Sequence, residues 1–338
     1  MTKKYYRPII KNSSKGSVGS HKLAGGWAFF EDVEVIQRNG KCKIIKAEDL
    51  PKKTLHNLTI KRQNLFNLSF SSPHIMGILN VTPDSFSDGG KYNELDSAFD
   101  EFIKMMNFGA SIIDIGGEST RPGAEPITVN EEISRISPIL EKIRSSGIDL
   151  PISVDTRKSE VWDIAKQLGA NMLNDISSLT YDKEMRKLVI PQNVPICVMH
   201  SKGVPKSMKS EAVYDNVLLD VYDFLENVVE NCVQIGIPRK NIIVDPGIGF
   251  AKTLEHNLTL IRGLSIFHSL GCPILLGASR KRFIKTIGLQ DDPLKISAGS
   301  IAVALEAITQ GVQLLRVHDV FETMQALRLW KSINMGIN

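Results

Sequence analysis

The chain has 338 residues, 42% of them hydrophobic and 23% charged, which is the composition of an ordinary globular protein and not of a disordered or fibrous one. The formal charge of +4 is uneven: residues 1–72 hold 14 basic and 5 acidic side chains, whereas residues 73–338 hold 27 and 32. No stretch is apolar for long enough to span a bilayer, the start Met-Thr-Lys-Lys-Tyr-Tyr-Arg-Pro lacks the apolar core of a signal peptide, and the four cysteines show no C-x-x-C spacing. The expectation is a reduced, cytoplasmic compartment with Cys197 and Cys272 as buried free thiols. The lysines of the first segment are scattered among Glu31, Asp32 and Glu34, which speaks for a solvated surface and against a nucleic-acid arm.

Residues 1–72 read as an N-terminal extension. Lys11 to Ser20 has the composition of a loop, Trp27 to Ile36 and Lys43 to Ile45 suit short strands, and Arg38-Asn39-Gly40-Lys41 suits the hairpin turn between them. From residue 73 to 338 the pattern is regular. Short apolar runs at 75–79, 111–115, 151–154, 171–174, 195–199, 241–244, 273–277 and 312–317 suit buried parallel strands. Helical stretches separate them: Leu95, Phe99, Phe102 and Met106 share one helical face with Asn93 as N-cap, Tyr214 to Ile235 is a longer helix, and Ile296 to Gln310 is closed by Gly311. Eight strand–helix units in roughly 250 residues predict an α/β fold, a (β/α)8 TIM barrel with an N-terminal extension. The alternative, an open doubly wound sheet, sits better with fewer strands and with a G-x-G-x-x-G motif, which is absent.

In such a barrel the active site is built at the C-terminal ends of the strands. Each run ends in polar or charged residues: Asn80; Glu118, Ser119, Thr120 and Arg121; Asp155; Asn174 and Asp175; His200; Asp245; Ser279, Arg280 and Lys281; Arg316 and His318. One polar ending is routine helix capping, but eight converging on one face make an active site. Ser279 to Lys281 after the seventh run, and Arg316 with His318 on one face of the eighth, occupy the place where barrels bind phosphate. Asp155, Asn174 and Asp245 suit the edge of a heterocycle carrying N–H donors and a carbonyl, since a buried carboxylate needs a partner. There is no H-E-x-x-H and no Cys/His cluster, so zinc is not expected; Mg2+ needs few protein ligands when a pyrophosphate supplies the rest, and Asn80 could be its one protein contact.

Residues 80–90, Asn-Val-Thr-Pro-Asp-Ser-Phe-Ser-Asp-Gly-Gly, form a long polar segment leaving a buried strand. Together with Asp114-Ile-Gly-Gly-Glu-Ser-Thr-Arg-Pro-Gly123, Ser153-Val-Asp-Thr156, Asn174-Asp175, Asp245-Pro-Gly-Ile-Gly-Phe250, Ser279-Arg-Lys281 and Arg316-Val-His-Asp319 it resembles the dihydropteroate synthase family, in the family's order, over residues 73–330. The resemblance implies joining of dihydropterin pyrophosphate to p-aminobenzoate in folate biosynthesis. It implies that Asp155, Asn174, Asp245 and Lys281 hold the pterin, and that Asn80, Thr120, Arg121, Arg316 and His318 bind the pyrophosphate, with Asn80 at the Mg2+. Phe86, Pro122, Phe250, Ser279 and the stem of Lys281 would form the p-aminobenzoate pocket. Asp84 or Asp88 would stabilise a pterin cation formed as pyrophosphate leaves, with Lys281 and Arg316 also catalytic. A homodimer through the C-terminal helices, small-molecule substrates only, and no nucleic-acid or membrane partner are implied as well. The alternative is a pterin-binding methyltransferase domain using a reduced folate, which has no need for a pyrophosphate site.

Overall fold

The computed structural model describes residues 2–11, 16, 19–82, 91–119, 124–203 and 211–336, with the backbone alone for 91–93. The first elements are β1 (Tyr5–Lys11), β2 (His21–Lys22), β3 (Phe29–Ile36) and β4 (Cys42–Lys46), followed by helix α1 (Lys52–Thr59). They form an antiparallel sheet in which β3 pairs with β1 on one side and with β2 and β4 on the other. The hairpin between β3 and β4 is where the Arg38-Asn39-Gly40-Lys41 turn places it: Gln37 and Lys41 face each other through a backbone hydrogen bond of 3.0 Å, and Gly40 takes φ +80°. β1 and β2 were not expected from the sequence. Pro8 breaks the strand pattern of β1, but β1 lies at the sheet edge, where a residue without an N–H is tolerated.

The second sheet is the barrel. Its strands are β5 (His74–Asn80), β6 (Ile112–Gly116), β7 (Ile152–Asp155), β8 (Met172–Asp175), β9 (Ile196–Met199), β10 (Ile242–Asp245), β11 (Leu275–Leu276) and β12 (Leu314–Val317), all parallel. Neighbours follow the chain from β5 to β10, and β12 closes back onto β5. A bridge from Val244 to Ile274 joins β10 to β11, so the ring is complete. The seventh run, expected at 273–277, is a strand only over Leu275–Leu276, and the N–H of Ile274 goes to the Gln313 side chain at 2.8 Å instead of to a strand neighbour. Helices α2 (Lys91–Phe108), α3 (Val129–Ser145), α4 (Ser159–Gln167), α5 (Lys183–Gln192), α6 (Val217–Gln234), α7 (Leu254–Arg262), α8 (Arg282–Ile287), α9 (Ser297–Thr309) and α10 (Val320–Met335) fill the connections and cover the outside. Helix α2 starts at Lys91, so Asn93 falls inside its first turn and is not the N-cap. Among the described residues no helix is long and apolar enough to cross a membrane, and Cys197, Cys232 and Cys272 are buried free thiols while Cys42 is exposed.

Strand alternation divides the barrel residues in two. Outward side chains such as Ile113, Ile115, Val154, Leu173, Val198 and Leu276 join one large core with the helices. Inward, the N-terminal half of the barrel is apolar: Met76, Ile112, Met172, Cys197, Ile243, Leu275 and Leu314 meet in one layer, sealed by Leu65 and Phe70 from the end of the extension. Arg62 anchors that plug. It is 3% exposed and donates to the carbonyls of Asn57 (2.9 Å), His268 (2.9 Å), Cys272 (3.2 Å) and Ile60 (3.1 Å). Elsewhere the extension braces the barrel flank: Arg38 pairs with Asp220 (2.7 Å) and Asp223 (2.6 Å) on α6, Ser265 donates to the carbonyl of Pro8 (2.9 Å), and the Trp27 indole donates to the carbonyl of Ile308 (2.8 Å). Phe70→Ala leaves a void under the barrel floor and is expected to lower unfolding stability by about 3–5 kcal/mol in urea melts, while substrate KM values change less than about twofold because the plug is at the end remote from the polar strand termini.

Candidate active site

The same alternation that makes the lower half of the barrel apolar makes its upper half polar. Continuing along the inward column of each strand gives Asn80 on β5, Asp114 and Gly116 on β6, Ser153 and Asp155 on β7, Asn174 on β8, Met199 on β9, Asp245 on β10 and Arg316 on β12. Strand register aligns Asn80, Gly116, Asp155 and Asn174 across four neighbouring strands. Gly116 keeps this row open: a Cβ there would lie 3.5 Å from the Asp155 Cβ and 3.7 Å from the Asn80 Oδ1.

Arg316 lies across the middle of the ring. Its Nε donates to Asp114 Oδ2 at 2.6 Å and its Nη2 to Asp155 Oδ2 at 2.9 Å, while Asn174 Nδ2 donates to the same Asp114 oxygen at 3.0 Å. Asp114 is completely buried and Asp155 is 7% exposed. Their second oxygens, Asp114 Oδ1 and Asp155 Oδ1, and the hydroxyl of Ser153 are buried without a hydrogen-bond partner, which marks acceptors left for something else. Burial pushes the Asp155 carboxyl up to about 7 against the pull of Arg316, and burial also raises Asp245. Burial opposes the Arg316 charge, but Asp114 and Asp155 overcome it and push the guanidinium up.

Asp245 accepts the Gly247 N–H at 2.7 Å, which turns the chain sharply after β10. Gly247 takes φ +69°, and a Cβ there would sit 2.0 Å from the His200 carbonyl oxygen, so no other residue fits. The loop so formed receives Lys281, whose ammonium donates to the Ile248 carbonyl and lies 4.5 Å from the centre of the Phe250 ring. Burial brings Lys281 down to about 8, with Asp245 holding it up. Ser279 Oγ accepts the backbone N–H of His318 at 3.2 Å and contacts its Nδ1 at 3.1 Å, linking the ends of β11 and β12.

Of the residues singled out in the sequence, the structure thus gathers Asn80, Asp155, Asn174, Asp245, Phe250, Ser279, Lys281, Arg316 and His318 at one end of the barrel. Asp84, Phe86, Asp88, Thr120, Arg121 and Pro122 lie outside the described residues. Three polar strand endings serve the scaffold instead. Asp175 accepts from the Ser177 and Leu179 N–H groups at 2.7 and 2.8 Å. Arg280 turns away to Asp319, with its Nε at 3.2 Å. Glu118 joins a buried ion network in which Arg157 meets it at 2.8 Å, and Lys158 meets it, Glu132 at 2.6 Å and the Ile127 carbonyl at 2.8 Å. That network ties the start of the segment after β6 to its end.

The sequence reading missed Asp114 as a site residue, although the signal was present: a lone carboxylate at an inward position of an otherwise apolar run must find a cation. Asp114→Ala removes the fully buried one of the two carboxylates that hold Arg316, together with the acceptor of Asn174, and is expected to cost about 3 kcal/mol in urea unfolding.

The pterin binding enzyme family matches residues 76–318. The dihydropteroate synthase of Escherichia coli K12 is 43% identical over 263 residues, 78% of this chain and 92% of that protein. The chain belongs to this family. Among solved structures, a Yersinia pestis dihydropteroate synthase in a sulfonamide drug complex superposes with a TM-score of 0.75 at 40% identity, covering 80% of this chain and 98% of that one. A Xanthomonas albilineans dihydropteroate synthase with 4-aminobenzoic acid gives 0.74 at 39% identity, covering 79% and 94%. These relatives are synthases, so the methyltransferase alternative is set aside. The family match starts at residue 76, beyond the extension that plugs and braces the barrel in this chain.

Proposed function

We propose that this chain is a dihydropteroate synthase that condenses 6-hydroxymethyl-7,8-dihydropterin pyrophosphate with p-aminobenzoate to give 7,8-dihydropteroate and pyrophosphate. The observation that carries the site reading is the pair of inward carboxylates, Asp114 and Asp155, whose buried second oxygens have no partner, set beside Asp245, Lys281 and Arg316. A dihydropterin presents the complement, with N–H donors along one edge and a carbonyl beside them. Asp155, Asn174 and Asp245 take those donors, and Lys281 donates to the carbonyl. Arg316 and His318 at the end of β12 take the pyrophosphate, joined by Thr120 and Arg121.

The chemistry asks little of a general base, since an aniline nitrogen is neutral at pH 7. The C–O bond to pyrophosphate breaks, the C–N bond to the amine forms, and the amine gives up one proton. As C–O cleavage runs ahead of bond formation, negative charge grows on the leaving group and positive charge on the pterin methylene. The Arg316 guanidinium at β12 stabilises the first, and Asp84 or Asp88 stabilises the second. Phe86, Pro122, Phe250 and Ser279 form the wall against which p-aminobenzoate lies, with the Ser279 hydroxyl toward its carboxylate.

A Mg2+ would fit this donor set, with Asn80 as the residue that would hold it. Among the described residues there is no cluster of three or more His, Cys, Asp or Glu, but Asn80 offers one hard oxygen at the end of β5, and Mg2+ asks for no more when phosphates and water complete its shell. Bound there it would neutralise charge on the leaving group. Residues 73–338 form the catalytic unit, residues 1–72 serve as its brace, and the protein works as a homodimer through its C-terminal helices, in the cytoplasm.

The deciding assay supplies purified protein with the pterin pyrophosphate, p-aminobenzoate and Mg2+; dihydropteroate and pyrophosphate are expected in equal amounts, and folded protein that makes neither overturns the proposal. The pH profile of kcat/KM should be a bell. It falls below about 7 as Asp155 protonates and loses its acceptor role, and above about 8 as Lys281 loses its proton. Lys281→Arg should remove the alkaline limb. Arg316→Ala should weaken capture of the pyrophosphorylated pterin far more than binding of a pterin lacking that group, measured by calorimetry; equal losses would remove Arg316 from the leaving-group site.

A further inference from the structure

Lys252 ends the loop after β10, and no step of the synthase chemistry uses it. Its ammonium spends its donors on three acceptors: His200 Nδ1 at 3.0 Å, the Phe250 carbonyl at 2.9 Å and the His200 carbonyl at 3.4 Å. No carboxylate touches it among the described residues; Asp245 acts on it only at longer range. An ammonium taken from water without a contacting counter-ion is costly, and burial drives this one well below its ordinary pKa. The His200 imidazole meets Lys252 through its Nδ1, and burial keeps the ring neutral. The ring is fixed by Phe224, edge-on at 4.8 Å, and by Tyr214 at 5.9 Å, and burial brings its pKa down to about 2.

The backbone of Phe250 is held by this pair. Lys252 grips the Phe250 carbonyl from one side, and on the other the Phe250 ring faces the Lys281 ammonium. The next residue, Ala251, sits at φ +48°, a left-handed conformation that costs a non-glycine residue about 1–3 kcal/mol and persists only when its surroundings impose it. Tyr214 imposes it from one side by donating its hydroxyl to the Ala251 carbonyl at 2.9 Å, and Lys252 from the other. Gly249, between the two lysines, donates its N–H to Asn257 Oδ1 at 2.7 Å and approaches Lys281 so closely that a Cβ would meet its Cδ at 2.8 Å. The carboxylates around Arg316, on β6 and β7, take no part in these contacts.

We propose that Lys252, anchored on the imidazole of His200, is a positioning residue of the synthase reaction, setting the Phe250 wall for p-aminobenzoate independently of the Asp114 and Asp155 carboxylates around Arg316. It rests on the reading of Phe250 as that wall, and the two are separable by experiment. Steady-state kinetics of Lys252→Met, Lys252→Gln, Lys252→Arg, His200→Gln and the Lys252→Met/His200→Gln double variant should be run with each substrate varied in turn. Phe250→Ala serves as the reference for the wall itself.

The expected result for Lys252→Met is a rise of about tenfold in the p-aminobenzoate KM with the pterin pyrophosphate KM held within about threefold, partial recovery in Lys252→Arg, and a double variant no worse than the worse single one. Lys252→Met with both KM values unchanged, or both raised alike, overturns the proposal. So does failure of both Lys252→Met and Lys252→Gln to fold, which makes the pair a folding element. If instead Phe250→Ala leaves the p-aminobenzoate KM untouched, the wall reading itself fails, whatever the lysine variants do.

Discussion

The interaction on which the rest depends is the Arg316 guanidinium held between Asp114 and Asp155. Two carboxylates in the mouth of a closed barrel are tolerable because the guanidinium between them offsets part of their charge, and each group fixes the next. Asp114 gains Asn174 as a second donor, Asp155 keeps one oxygen free, and Arg316 is aimed inward from β12. The arrangement also explains a division of labour between two aspartates on adjacent strands. Asp114 is completely enclosed and orders the arginine and the asparagine; Asp155, one level nearer the mouth, retains the capacity to receive a ligand. The arginine thus spans a fully enclosed carboxylate and one that keeps an oxygen free.

Much of this was legible in the sequence because the barrel obeys a simple period. Each buried run is short, each ends in a polar residue, and alternation alone puts Asn80, Asp155, Asn174 and Asp245 on the inside. The illegible part depends on contacts between residues far apart in the chain. Asp175 is adjacent to Asn174 and chemically similar, yet the pleat turns it to the other face, where it caps the following turn. Glu118 looks like a site residue at a strand end, but Arg157 and Lys158 lie forty residues on and claim it. Strand β1 was hidden by Pro8, whose missing N–H signals disruption locally and becomes harmless only at a sheet edge. Lys252 carries no sequence signal at all: a lysine near a helix start is ordinary until its neighbours prove to be an imidazole and two carbonyls.

The two ends of the barrel show why the extension belongs to the structural argument. A ring of eight strands whose upper interior is polar must find its hydrophobic closure below, and seven inward side chains of the lower layer leave an apolar face that water would otherwise reach. Leu65 and Phe70 cover it, and the covering segment is itself held by Arg62 through backbone carbonyls at the ends of α1 and of the turn at Leu264–Leu270. The same segment continues directly into β5, which starts at His74 and ends at Asn80. The plug thus packs directly beneath the strand that carries Asn80, while the ladders to β6 and β12 set the height of Asn80 relative to Gly116 and Asp155. The plug therefore bears on the site through geometry only insofar as β5 can shift. Because β5 is hydrogen-bonded on both flanks, to β6 and to β12, it cannot slide without breaking two ladders. Packing of Phe70 therefore bears on stability and not on the register of the row above it.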